Sequence, residues 1–332
     1  MPAKINFISL NEPLWQRNIR RISLLPAGDF FYRAKNRIFK KLQGGLPAFP
    51  QNMHIEVTNH CNLTCPMCVF PKQTRPKGFM EFGLFEKIIK QCAGKNTLEK
   101  MALMGLGEPF LHPELIAMSR YAKAHNIFHV FTSTNATLLG EEEAKAIIKE
   151  PGLDLLAISL DGASKKTYED IRRGADFDKV TGNVINFIKI RKSLKKRRPS
   201  LVLQFLVMRK NYAEKEAFIK FWQEKLDAQD IISIRDVDTF GGQAEDHRLP
   251  SQIPSMRRKP CLQLWRDLSV SWNGEVTVCC KDVNYLLKAG NIKEEPLEEV
   301  WNNSLWQRLR SLHKQGCWQE IGLCASCNEW GS

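Results

Sequence analysis

Residues 54–68 read HIEVTNHCNLTCPMC, and this stretch decides the fold. A short strand-like run, 54–58, passes directly into Cys61, Cys65 and Cys68, spaced CxxxCxxC. Thiolates are the standard ligands of iron–sulfur clusters. Three of them on one tight loop can hold three irons of a cubane and leave the fourth open to chelate a substrate or cosubstrate. A structural zinc site would instead use four ligands, as paired CxxC or CxxC with His. His60 is adjacent to Cys61, an awkward position from which to close the same tetrahedron.

Outward from this loop the chain keeps one rhythm. Strand-like runs at 54–58, 101–105, 128–132, 155–160, 201–208 and 231–236 alternate with helix-like stretches at 84–91, 113–125, 141–149, 177–191 and 213–226. Such alternation predicts parallel strands with helical crossovers, in a sheet either closed or open. The site is expected where the βα loops gather, at the C-terminal ends of the strands. Residues 241–260, GGQAEDHRLPSQIPSMRRKP, break the rhythm and read as a linker. Beyond them, 261–332 holds strand-like pieces around 272–280 and a helix near 297–312, a small core that metal would reinforce.

Composition bounds the class. With 332 residues, 43% of them hydrophobic and 26% charged, the chain reads as globular. It has no apolar run near the ~20 residues of a membrane span. The N-terminus lacks the charged-then-apolar order of a secretory signal, so a cytoplasmic location is expected. There thiols stay reduced, and ten cysteines point to metal or chemistry rather than disulfides. Cys92, on a crossover helix, is expected to be structural.

The net charge of +13 is uneven. Residues 1–50 carry nine Lys or Arg against Glu12 and Asp29, and 189–198 read KIRKSLKKRR. This basic surface would attract anionic groups. Residues 1–50 are expected to be a largely helical extension, with 29–42 forming a basic amphipathic helix. Such a helix either packs on its own domain or touches a membrane surface.

The loops after the later strands strengthen the first signal. Gly105-Leu106-Gly107-Glu108-Pro109 follows the second strand, Ser133-Thr134-Asn135 the third, and Ser159-Leu160-Asp161-Gly162 the fourth. Together with CxxxCxxC they resemble the radical SAM superfamily. In this chain Leu106 stands in the family's GGEP motif where a second Gly is usual, and Ala136 where Gly follows TN. The resemblance implies a partial (βα)6 TIM-like barrel over 51–240 and S-adenosylmethionine on the open iron held by Cys61, Cys65 and Cys68. It also implies cosubstrate contacts from Met67, Gly105, Gly107, Glu108, Pro109, Ser133, Asn135, Ser159 and Asp161.

The C-terminal frame, Cys261, then Cys279-Cys280, then Cys317 and a closing Cys324-x2-Cys327, resembles the SPASM/twitch extensions of the same superfamily. That resemblance implies a second, auxiliary 4Fe–4S cluster within 261–332, on Cys261, Cys279, Cys324 and Cys327. Cys280 could replace Cys279, and a four-Cys zinc site has similar spacing. Cys280 and Cys317 otherwise remain as buried thiols or as hydrogen-atom donors.

The family's opening step is the reductive cleavage of S-adenosylmethionine, yielding a 5′-deoxyadenosyl radical that abstracts a hydrogen atom from a C–H bond. An external flavodoxin- or ferredoxin-like donor supplies the electron. Two outcomes are open: oxidation to a ketone through the auxiliary cluster, with Glu56 or Asp236 as base, or epimerisation through Cys280 or Cys317. The aminocyclitol and sugar dehydrogenases and epimerases of the group are the nearest in pattern. A small polyol, sugar or aminocyclitol, with or without a phosphate or nucleotide, is therefore the expected substrate, and modification of a peptide is the alternative. A zinc-stabilised nucleic-acid-binding protein is the distant alternative. It leaves the GLGEP and SLDG loops unexplained, so no nucleic-acid partner is expected.

Overall fold

The computed structural model describes residues 3–8, 47–252 and 258–327. All six expected strands form: β2 (Asn52–Ile55), β3 (Lys100–Ala102), β4 (Val130–Thr134), β5 (Leu155–Ser159), β6 (Ser200–Val207) and β7 (Ile231–Asp236). The crossover helices are α1 (Phe82–Cys92), α2 (Leu115–Ala124), α3 (Glu141–Lys149), α4 (Lys165–Ile171), α5 (Phe177–Ser193) and α6 (Lys215–Gln223). Every neighbouring pair from β2 to β7 is parallel, which the helical crossovers between them permit.

Alternation along the strands separates two faces. Met53 and Ile55 of β2 and Leu203 and Phe205 of β6 are buried under the helices. Met53 Sδ lies 3.3 Å from Cys92 Sγ on α1, and the Phe205 ring is 4.9 Å from Phe218 on α6. Cys92 thus has the expected structural place. The opposite, inner face changes character along its height. Phe131, Leu155 and Val202 form its lower part, whereas Ser159, Gln204 and Ser233 are in register near the C-terminal ends, with Leu206 paired to Arg235 above.

The sheet stays open and has ten strands, in the order β1-β7-β6-β5-β4-β3-β2-β8-β9-β10. The basic N-terminal extension was expected to be largely helical, but Lys4–Ile8 forms β1, parallel to β7 from Lys4↔Ile231 to Ile8↔Arg235. KINFI alternates at period two, and β7 offers it a free edge. The helix expected at 29–42 lies outside the described residues. At the other edge, β8 (Asp267–Val270) pairs in parallel with β2, and β9 (Glu275–Thr277) and β10 (Lys288–Asn291) continue antiparallel. The C-terminal segment therefore shares the barrel's sheet.

Its helix divides into α7 (Leu297–Asn302) and α8 (Ser304–Gln315) at Asn303, whose side-chain oxygen accepts from Trp306 N–H and caps α8. The short helix α9 (Gly322–Ala325) carries Cys324. The stretch read as a linker packs onto the barrel mouth. Gln252 is buried and donates to Asp236 Oδ1 at 2.8 Å, and Gln243 accepts from Lys72 Nζ at 2.6 Å through its carbonyl.

Candidate active site with two cysteine centres

The first centre is built from four βα loops locked together. The cluster loop leaves β2 and is gripped by the loop after β3. Glu108 N–H donates to the His60 carbonyl at 2.7 Å. A Cβ on Gly107 would stand 2.4 Å from the Thr58 carbonyl oxygen and 2.6 Å from that of His60; one on Gly105 would stand 2.5 Å from Glu56 Cγ. Both glycines of GLGEP are thus dictated by close approach, and Leu106, between them, meets no such limit.

Glu108 is buried and ties this loop to the next. One carboxylate oxygen accepts from Thr134 Oγ1 at 2.7 Å and Phe110 N–H at 3.1 Å, and the other from Asn135 N–H at 2.7 Å. Burial pushes its carboxyl above the usual range, and these donors offset part of that. The Asn135 amide donates to Asn62 Oδ1 at 2.9 Å, so the third loop holds the cluster loop directly. Ala136, where Gly is usual, has φ of 58°, the left-handed region that favours glycine. Pro109 starts the short turn after Glu108, and Ser133 stands half-buried on β4 beside Asn135. Ser159 Oγ lies 3.5 Å from Gln204 Oε1, and Met67 is buried in the cluster loop.

Asp161 has φ of 59° and is fully buried. One of its oxygens accepts from Leu206 N–H at 2.6 Å, and the other pairs with Arg172. Both are therefore committed within the protein, and the charge that reaches the cluster loop is that of Arg172. Its Nη1 lies 3.8 Å from Cys65 Sγ. Sequence reasoning missed Arg172, because nothing in TYEDIRRG tells which arginine turns inward.

Glu56, expected as a base, is in a different state. Arg75 pairs with it bidentately at 2.9 and 3.0 Å, and Leu106 N–H donates to it at 3.2 Å. Arg75 also covers the Tyr285 ring at 4.1 Å and donates to the Val283 carbonyl. In this structure both Glu56 oxygens are engaged, and the side chain joins the barrel to the C-terminal segment. Asp236 accepts from Gln252 at the end of β7. Burial disfavours the charge on nearby Asp238, but Lys281 prevails and holds its carboxyl below the usual range.

The second centre is a small cavity, partly open to solvent. Cys261, Cys279, Cys324 and Cys327 all line it, with Arg258, His313 and Lys281. Cys280 and Cys317 do not. Cys280 is exposed, within electrostatic reach of His54 on the inner face of β2, and its hydrogen bond with Cys279 lowers its thiol while raising that of Cys279. Cys317 is half-buried after α8, its Sγ 4.0 Å from the Gln315 carbonyl.

The donor chemistry of both centres fits iron–sulfur clusters. Burial pushes the Cys61 thiol up to about 11, Cys261 to about 12 and Cys324 to about 11, so these thiolates need a cation in place. Backbone N–H groups already point at two of the sulfurs: Phe70 N to Cys68 Sγ and Lys281 N to Cys279 Sγ, both at 3.4 Å. At each centre a buried donor lacks a partner among the described residues, Arg172 Nε at the first and Arg258 Nε and His313 Nε2 at the second. Among the described residues no three Cys, His, Asp or Glu side chains are close enough to share one ion. Likewise no described helix is long and apolar enough to cross a membrane.

Comparison with known proteins agrees with this geometry. The model of the radical SAM superfamily matches residues 55–214, and that of the SPASM iron–sulfur cluster-binding domain matches 261–328. The tungsten-containing aldehyde ferredoxin oxidoreductase cofactor-modifying protein of Pyrococcus furiosus is 30% identical over 166 residues, 49% of this chain and 45% of that one. The chain spans about half the length of the curated relatives it matches. Among solved structures, BtrN in complex with AdoMet and 2-DOIA superposes with a TM-score of 0.57 at 18% identity, covering 84% of this chain and 93% of that one. Streptococcus suis SuiB bound to precursor peptide SuiA gives 0.67 at 16% identity, covering 90% and 74%. At these identities the likeness is one of fold. The chain belongs to the radical SAM superfamily, with a C-terminal SPASM domain, and its two domains imply S-adenosylmethionine and two 4Fe–4S clusters as cofactors.

Proposed function

We propose that the chain oxidises a secondary hydroxyl of a small polyol, sugar or aminocyclitol to a ketone. The carrying observation is the second cavity, where four thiols converge on one space. Four protein ligands leave a cluster no open iron for substrate, which suits it to accept an electron. The bound cofactors supply the one-electron chemistry that removes a hydrogen atom from a C–H bond. Loss of that atom, of the hydroxyl proton and of one electron together turns CH–OH into C=O.

The chain's own residues orient the substrate. Ser159, Gln204, Ser233 and Arg235 present hydrogen-bonding groups on the inner face near the strand ends. Such a wall fits a polyhydroxylated molecule, and Arg235 fits an anionic substituent such as a phosphate. Asp236 ends β7 on the face opposite Arg235 and accepts from Gln252, so it would take the hydroxyl proton only by leaving Gln252 and turning toward the inner face.

A second reading, epimerisation, is favoured by Cys280, an exposed thiol beside the inner face. The test is anaerobic incubation with reductant, S-adenosylmethionine and a panel of polyols, sugars, their phosphates and nucleotide conjugates, alongside peptides. Deoxyadenosine release with a product lighter by two hydrogens supports oxidation. A product isomeric with the substrate, which carries one deuterium when the reaction is run in deuterated water, supports epimerisation. Deoxyadenosine release stimulated only by peptides would overturn the small-molecule reading.

A further inference from the structure

His313 lies on α8, fully buried, against the second cavity. Its Nδ1 is 3.1 Å from the backbone nitrogen of Cys261 and accepts that N–H. A ring nitrogen that accepts carries no hydrogen, so the ring's own proton sits on Nε2. Nε2 is buried and has no partner among the described residues. A buried donor left unpaired costs about 1–3 kcal/mol, and native structures rarely keep one. One side of this ring thus grips a cysteine's backbone, and the other carries an unused N–H on a residue that lines a cavity walled by four thiols.

We infer that His313 is a positioning residue for the auxiliary cluster: its Nε2–H donates to a cluster sulfur while Nδ1 fixes the Cys261 backbone. Reduction adds negative charge to the sulfurs, and a donor aimed at them stabilises the reduced state and raises the potential. Arg258 adds to the effect from the same wall, its guanidinium stacked over Trp318 at 4.8 Å and its Nε without a partner among the described residues. The result is a better electron acceptor than four thiolates alone would make. The inference rests on Cys261, Cys279, Cys324 and Cys327 being the cluster's ligands.

The test uses the full chain carrying Cys61→Ala, Cys65→Ala and Cys68→Ala, reconstituted anaerobically, so that only the auxiliary cluster remains. His313→Leu removes both ring contacts. His313→Gln keeps an acceptor for Cys261 N–H and a donor for the cavity. At a poise where half of the parent's cluster is reduced, His313→Leu should lower the reduced-to-oxidised ratio about tenfold, about 59 mV for one electron. His313→Gln should stay within about twofold of the parent. A potential unmoved by Leu, or moved equally by Gln and Leu, overturns the inference. A readout independent of folding in the variants is histidine-ring ¹⁵N labelling of the parent. A nitrogen coupling to the reduced cluster is expected, and its absence overturns the inference as well. A parent without iron means instead that the ligand assignment has failed, which iron analysis reveals before any titration.

Discussion

Replacing Gly107 by Ala asks whether backbone contact between two loops sets the first centre. The new methyl carbon would lie 2.4 Å from one carbonyl oxygen and 2.6 Å from another, where C···O contacts normally begin near ~3.3 Å. Neither obstacle is a flexible side-chain end; both belong to the segment that leads into Cys61. The loops must separate by roughly 0.9 Å, a strain of about 1–3 kcal/mol. The Glu108 N–H to His60 bond would weaken too, adding about 0.5–1.5 kcal/mol. Gly182, inside α5, supplies the control, because a Cβ there meets nothing within 4 Å. Gly182→Ala should stabilise by about 0.8–1 kcal/mol through helix propensity. The apoprotein's thermal midpoint should therefore fall for Gly107→Ala and rise for Gly182→Ala, at about 2–4 °C per kcal/mol or less for a chain of this size. Iron retained after reconstitution should fall only in the first. A Gly107→Ala protein with unchanged midpoint and iron would show that loop contact does not define the site.

The cluster assignments predict about eight irons per chain, falling to about four in the Cys61, Cys65, Cys68 triple-Ala variant. In that background Cys279→Ser should lose the remainder and Cys280→Ser should keep it. Arg172→Leu would leave Asp161 as a buried unpaired charge and cost about 3–5 kcal/mol; adding Asp161→Asn should restore part of the midpoint. Glu108→Gln sets an amide N–H against one of the donors that Glu108 now accepts from, so about 1–3 kcal/mol of stability should be lost. Burial, with Arg258 nearby, holds the His313 imidazole down to about 4 from 6.5. The unfolded chain then takes up this proton first as pH falls, so stability present above pH 6.5 is lost on going towards pH 4. His313→Gln should flatten that slope in the apoprotein by up to ~1.4 kcal/mol per pH unit. An identical slope would remove His313 from the account.

Much of the fold was legible because its signals are local. The six strands and their crossovers follow from runs of apolar residues and from helical spacing, and β2 announces itself by leading straight into CNLTCPMC. The residues that hold the first centre were not legible, because their partners are remote in sequence. Glu56 reads as a lone strand carboxylate until Arg75 and the 283–285 turn close on it. Arg172 and Arg173 are equivalent in a string of letters, and only the pairing with buried Asp161 singles out the one that reaches Cys65. β1 escaped because five residues of alternation are too few to outweigh the basic helical pattern that follows. The preference for Cys279 over Cys280 rests on resemblance; of the two, Cys279 is the one that lines the cavity.

The two centres are joined by more than a chain segment. Cys61 follows β2, Cys279 follows β9, and β8 joins these strands in one sheet with His54 in register with Ser269. Above the sheet, residues 72–78 leave the cluster loop and dock on the C-terminal segment. Thr74 N–H donates to Asn284 Oδ1, Arg75 to the Val283 carbonyl, and Trp272 Nε1 to the Pro76 carbonyl, while the Trp272 ring closes over Gly78. Arg75 is the keystone, since its charge is held by Glu56 of the barrel and its face by Tyr285 of the other segment. On the proposed function, hydrogen abstraction at one centre and electron acceptance at the other would both fall off steeply with misplacement of the substrate. A shared sheet fixes their separation at one level and the Arg75 contact fixes it at a second. Glu56, through its ion pair with Arg75, anchors the contact that holds the barrel and the C-terminal segment together.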